Sequence, residues 1–212
     1  MTTSQPKFLL PFLTGMFTTI ILSSNFMAMK LIDVGSFTVP AAVVCYPLSF
    51  VCGDIITELF GFKTTRKAVF SIFIFNAIIV CFLSVASIMP PSAHYNDNEA
   101  FRTVFLSTPW RILGGSFVAF IICGILNSFV FDALKKTGKF PLMARSSIST
   151  AISIIFDSII FIGIAFGGTL PLQVLWITMV GQILAKFFVG ILIGVPLTWC
   201  ILRSFIRLKF RS

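Results

Sequence analysis

AVFSIFIFNAIIVCFLSVASIMPPSA, residues Ala68 to Ala93, runs for 26 residues without an Asp, Glu, Lys or Arg. A helix of about 20 residues, rising 1.5 Å per residue, crosses the hydrocarbon core of a bilayer. Three more charge-free stretches of comparable length run from Phe8 to Met29, Val34 to Gly53 and Ile112 to Phe131. Two others are interrupted once each, Ser146 to Phe166 by Asp157 and Leu172 to Leu202 by Lys186. The pattern predicts an all-α, six-helix transmembrane bundle forming a single domain over 1–212, with spans at about 8–30, 37–58, 67–89, 111–132, 146–168 and 172–202. Charges inside such spans are costly, so the few that occur are the first candidates for function.

Composition agrees. Hydrophobic residues make up 57% of the chain, charged residues 11%, and the mean hydropathy is +1.02, far from a soluble domain. Six spans and short connections leave no space for a soluble catalytic or nucleotide-binding domain, and no phosphate-loop motif occurs. Movement of a solute would be driven by a gradient, by membrane potential or by a partner's ATPase.

The net charge of +9 sorts by loop. Lys7, Lys63, Arg66, Lys67, Lys135, Lys136, Lys139, Arg145, Arg203, Arg207, Lys209 and Arg211 fall on one side, and Lys30, Arg102 and Arg111 on the other. By the positive-inside rule both termini face the cytoplasm, and Lys186 is the base left within the membrane. The charge is thereby spent on topology, and nucleic acid is not an expected partner. The run after Lys7 is too long for a signal-peptide core and Ser23-Ser24-Asn25 is a poor cleavage site, so it is expected to remain as the first helix. Cys45, Cys52, Cys81, Cys123 and Cys200 contain no C-x-x-C pair and read as apolar packing residues.

The longest break, Ile88 to Arg111, reads as an external polar loop. It divides the spans into two sets of three, which any internal repeat would relate by inverted topology; Asp54 and Asp157, each in the middle member of its half, are the faint trace of one. Pro47 lies well inside the second apolar run and disfavours helix at Tyr46. This span is expected to be broken near Pro47, either as a packing kink or as an unwound segment lining a cavity.

Asp54 and Glu58 are four apart and share a helix face. Glu58 suits an interfacial helix end neutralised by nearby bases, whereas Asp54 lies deeper, where insertion costs about 2.5–3.5 kcal/mol. Asp157 and Lys186 fall at matching mid-membrane depth on neighbouring spans, which fits a buried ion pair, a substrate-exchanging pair, or both; Gln182 is one turn before Lys186. Asn25, Asn76 and Asn127 suit interhelical hydrogen bonds, and the pairs Gly190/Gly194 and Gly163/Gly167 suit close helix approach. An intramembrane enzyme is disfavoured, because the single histidine, His94, lies in the external loop and no Ser-His dyad or zinc site can form at depth. No metal or cofactor is expected.

Taken together, Ser24-Asn25 through Lys30-Leu31-Ile32-Asp33, Tyr46-Pro47-Leu48-Ser49-Phe50 and Asp54-Ile55-Ile56-Thr57-Glu58-Leu59-Phe60-Gly61 make a pattern that continues through Arg66-Lys67, Leu134 to Thr137, Arg145, Ser149-Thr150, Asp157-Ser158, Phe161, Gln182, Lys186 and Pro196. In this combination, over nearly the whole chain, it resembles the queuosine precursor transporter family, six-span proteins of the vitamin uptake transporter type. The chain departs from that pattern at Ser146 and Ile154, where relatives carry amides. The resemblance implies import of a 7-deazaguanine (queuine, or its 7-cyano or 7-aminomethyl precursor) across the inner, cytoplasmic membrane for tRNA modification. A guanine-like edge presents a ring N–H beside an amino group, which one carboxylate accepts together. Asp54, Glu58 and Asp157 are the candidate acceptors, Asn25 and Gln182 serve the carbonyl side, and Lys186 completes the set. The expected partners are this small nucleobase and the bilayer, with a homodimer open. A transporter or binding subunit for another vitamin-like heterocycle, and a non-transport membrane assembly factor, are the alternatives.

Overall fold

The computed structural model describes residues 8–35, 37–92, 94–105 and 110–209, which excludes Lys7 and Arg211 of the topological bases and residues 106–109 of the expected external loop. The protein is mainly helical. Among the described residues five helical stretches are long and apolar enough to cross a membrane: Leu9–Met27, Phe62–Ile88, Arg111–Lys136, Leu142–Phe166 and Leu172–Ser204.

Helix α1 (Leu9–Met27) leads into a hairpin of β1 (Leu31–Val34) and β2 (Phe37–Pro40), paired antiparallel from Leu31 opposite Pro40 to Val34 opposite Phe37. The bend uses Gly35 at φ 61°, a conformation that favours glycine, and Thr38 Oγ1 ties the strands by donating to Asp33 Oδ1 at 2.7 Å. This hairpin is a strand element that the all-helical reading does not contain.

The second expected span, 37–58, is not one helix. After β2 the chain makes a 3₁₀ turn, Ala41–Val44, bends at Cys45 and Tyr46, and enters α2 (Leu48–Phe60) with Pro47 at the N-cap. Pro40 and Pro47 have no N–H to give a helix ladder, and each stands where a new helical segment begins. The break therefore falls at Pro47, and the continuous helix that follows has 13 residues.

Gly61 at φ 82° is the one-residue link between α2 and α3 (Phe62–Ile88), and the hydroxyls of Thr57 and Thr65 meet across it at 2.9 Å. The break after α3 contains a short helix, α4 (Asn98–Phe105). Then come α5 (Trp110–Lys136) and α6 (Leu142–Phe166), joined by a short turn. Their close approach is made at Gly115, whose missing side chain admits Ile164 and the backbone at Phe161 and Ala165. Gly163 has open space at that position instead, so the expected Gly163/Gly167 contact is replaced by a glycine on the facing helix.

The last span is α7 (Leu172–Phe187), a π-helical stretch Phe188–Gly194, and α8 (Val195–Lys209). Pro196 cannot donate to the carbonyl a turn earlier, and the wider turn lies immediately before it. Gly190 and Gly194 face inward there: a Cβ on Gly190 would meet Ile154 at 3.1 Å and Thr150 at 3.3 Å, and one on Gly194 would meet Val51 at 3.1 Å.

The main core gathers Leu13, Phe17, Phe50, Ile55, Val69 and Phe120 from α1, α2, α3 and α5. Phenylalanines and aliphatics such as Phe75, Phe82, Phe129, Phe156 and Phe188 point outward, as helices in lipid do.

The hairpin is held to α7 at one tight point, where a Cβ on Gly181 would lie 2.7 Å from Cβ of Phe37. Gly181→Ala is expected to lower stability by about 1–3 kcal/mol. A thermal melt in detergent checks this, and an unchanged melting temperature would show that the hairpin yields freely.

Candidate functional site

The polar residues within the helices form two separate sets. One surrounds a small cavity of about 20 Å³ toward the hairpin end, lined by residues that include Ser24, Pro40, Tyr46, Ser116, Asp157, Phe161, Gln182 and Lys186. Helix α1 brings Ser24, α6 brings Asp157 and Phe161, and α7 brings Gln182 and Lys186 one turn apart on one face. Tyr46 reaches the cavity from the turn between the 3₁₀ segment and α2.

Asp157 is 1% exposed and Lys186 5%. Lys186 Nζ donates to Asp157 Oδ2, and Tyr46 Oη donates to Oδ1 at 2.7 Å. The ammonium also stands 4.4 Å from the centroid of the Tyr46 ring and 5.9 Å from that of Phe161, within range for cation–π attraction. A charge pair removed from water is tolerated only when geometry and further hydrogen bonds are good; here the carboxylate has two donors and the ammonium has two aromatic faces.

Gln182 is treated differently. It is 1% exposed, and among the described residues neither its Nε2 nor its Oε1 has a hydrogen-bond partner. A buried amide left unpaired costs about 1–3 kcal/mol. It lines the same small cavity as Asp157.

The second set lies toward the other end of α2. Asp54 is fully buried, accepting from Asn127 Nδ2 at 2.8 Å and from Ser146 Oγ. Glu58, one turn on, bridges Arg145 Nη1 at 3.1 Å and Lys135 Nζ at 3.2 Å, and Lys135 also donates to the Glu58 backbone carbonyl at 2.8 Å. Asn25 stands one hydrogen bond away from the cavity, through Ser116 of its lining. Its Nδ2 donates to Asn76 Oδ1 at 3.1 Å and its Oδ1 accepts from Ser116 at 2.6 Å, forming an amide ladder between α1, α3 and α5.

Of the six residues expected to contact a ligand, the structure brings Asp157, Gln182 and Lys186 to one cavity and puts Asp54, Glu58 and Asn25 in other hydrogen-bonded groups. Tyr46, Ser24, Ser116 and Phe161 join the cavity without having been chosen for it. The sequence did hold a signal for Tyr46, one of two tyrosines in the chain and placed directly before a proline in an apolar run.

The pair should behave as a unit. Lys186→Met and Asp157→Asn are each expected to cost about 3–5 kcal/mol by leaving one group unpaired, and the double variant is expected to regain part of that loss. Thermal unfolding of the four proteins measures the coupling; strictly additive losses would mean that the two groups do not interact.

Comparison with known proteins places this arrangement. The family described as "Putative vitamin uptake transporter" matches residues 40–201. A "Probable queuosine precursor transporter" of Bacillus subtilis (strain 168) is 29% identical over 177 residues, covering 82% of this chain and 76% of the relative. A protein of the same description from Haemophilus influenzae (strain ATCC 51907 / DSM 11121 / KW20 / Rd) is 26% identical over 175 residues, 81% of this chain and 72% of the relative. No solved structure matches the chain. The match over most of the length, together with the apolar helices, makes this a multi-pass membrane protein of the vitamin uptake transporter family.

Proposed function

We propose that the protein imports a queuosine precursor, a 7-deazaguanine base, and that the Asp157 cavity is where the base is held on entry. The observation that carries this reading is the buried Gln182 amide, without a partner among the described residues, lining the same cavity as the Asp157 carboxylate.

Both Asp157 oxygens are occupied, so an incoming base has to replace a donor. Replacing Lys186 would strand a buried ammonium; replacing the neutral Tyr46 hydroxyl would not. A guanine-like edge therefore enters at Oδ1 with one of its two donors in place of the Tyr46 hydroxyl, while Lys186 stays on Oδ2. Gln182 offers its N–H to the base carbonyl and its oxygen to a further ring donor. An adenine-like edge would place an acceptor against the carboxylate and is rejected.

In this reading Ala41–Phe60, broken at Pro47, acts as the sixth pass, the bases on the even loops and both ends hold the termini in the cytoplasm, and the cavity faces outward. A cationic aminomethyl base gains about 2.3 kcal/mol per 100 mV of inside-negative potential; a neutral cyano base gains nothing from it.

Uptake of queuine, its two precursors and guanine, measured side by side, tests the substrate. Preference for an unrelated heterocycle would leave the transporter and remove the deazaguanine.

Gln182→Leu separates a ligand-binding role from a structural one. Because it removes two unpaired polar atoms, it is expected to leave stability unchanged or raise it by about 1 kcal/mol while weakening base binding by about tenfold. Binding at full strength in the variant would take Gln182 out of the site.

Orientation has its own check. A cysteine at Asn96 is expected to react with an impermeant reagent from outside and one at Lys136 only after permeabilisation. Equal reactivity would overturn the arrangement.

A further inference from the structure

Displacing the chain by 103 positions lays Ser24, Asn25 and Phe26 on Asn127, Ser128 and Phe129, and the same displacement lays Asp54 on Asp157. The two halves thus share a polar step on their first helix and a carboxylate on their second. The structure adds a relation that the sequence does not contain. Tyr46, ahead of α2, donates its hydroxyl to Asp157 on α6, and Ser146 on α6 donates its hydroxyl to Asp54 on α2. The two elements lie antiparallel and exchange one hydroxyl–carboxylate bond in each direction.

The neighbours follow the same rule. Ser24 on α1 lines the cavity that holds Asp157, and its counterpart Asn127 on α5 donates to Asp54 at 2.8 Å. Asn127 is 1% exposed, and its Oδ1 has no partner among the described residues. The exchanged hydroxyls are not themselves counterparts, since Tyr46 falls on Ser149 and Ser146 on Val43, and on the third helix of each half Gln182 and Lys186 fall against Ile79 and Leu83.

We infer that Asp54, Asn127 and Ser146 form a second binding station for the same class of planar heterocycle, closed in this structure and opening to the opposite face of the membrane from the Asp157 cavity. The inference rests on the proposed function for its ligand. Asp54 accepts one donor of the guanine-like edge once the neutral Ser146 hydroxyl gives way, as Tyr46 does at Asp157, and the free Asn127 Oδ1 takes a further donor. The closure is visible one turn beyond, where Glu58 holds Arg145 and Lys135 and the Arg145 guanidinium packs 5.1 Å from the Phe131 ring centroid. Substrate would pass from one carboxylate to its counterpart as the two halves exchange their open and closed arrangements.

Labelled 7-cyano-7-deazaguanine, bound to right-side-out and to inside-out membrane vesicles, distinguishes the stations. Asp157→Asn is expected to weaken binding from the outer face by about tenfold, and Asp54→Asn to leave that binding within about twofold. At the inner face Asp54→Asn is expected to lose about tenfold, with net uptake falling accordingly. Ser146→Ala keeps every charge and is expected to shift inner-face binding alone; it decides the matter if Asp54→Asn fails to accumulate. Equal loss at both faces in the Asp54 and Ser146 variants would mean one shared site, and unchanged inner-face binding in both would make the group structural. Intact outer-face binding in Asp157→Asn would overturn the entry-cavity assignment alone, since the inner-face arms stand without it.

Discussion

A lysine ammonium and an aspartate carboxylate held together out of water, Lys186 on Asp157, constrain everything around them. Each charge alone would be expelled from a bilayer or neutralised, and the pair stays only because its partners are fixed. Tyr46 supplies the second donor to the carboxylate from the turn that precedes α2. Gly190 and Gly194 let the last span approach α6 and α2 closely enough for the lysine to arrive. Break, hydroxyl and glycines are therefore parts of one solution to a single electrostatic demand.

The other carboxylates meet that demand in other ways. Asp54 is satisfied by two neutral donors, an amide and a hydroxyl, and Glu58 by two cations near a helix end. Neutral donors can be traded for those of a ligand with little change in charge balance, whereas cationic partners act as fasteners. The distribution divides the interior into exchangeable contacts around Asp54 and Asp157 Oδ1, and fixed ones at Glu58 and Asp157 Oδ2.

Much of this was legible beforehand, for physical reasons. Long charge-free runs have few alternatives in structure, so the helices Leu9–Met27, Phe62–Ile88 and Leu142–Phe166 could be read from composition alone. Depth counting brought Asp157 and Lys186 together because a helix rises by a constant amount per residue. What could not be read was lateral position. Asp54 and Asp157 look alike in one dimension, and only packing shows that they face different surroundings. The hairpin also escaped notice, since Leu31–Val34 and Phe37–Pro40 are short, and an apolar four-residue strand is not distinguishable by pattern from a helix end. A lone helical glycine such as Gly115 carries no signal in a sequence until its neighbour is known.

The π-helical stretch Phe188–Gly194 has a mechanical meaning of its own. A turn that holds an extra residue is a dislocation in an otherwise regular rod, with hydrogen bonds of poorer geometry and lower stiffness than those on either side. Helices α7 and α8 are consequently two levers on a compliant joint. A push delivered at Gln182 or Lys186 is absorbed at the joint before it reaches α8. Gly190 and Gly194 turn that joint toward Ile154, Thr150 and Val51, while Phe188, Leu192 and Ile193 of the same stretch face outward, so the joint spans the whole width of the rod from protein interior to exterior.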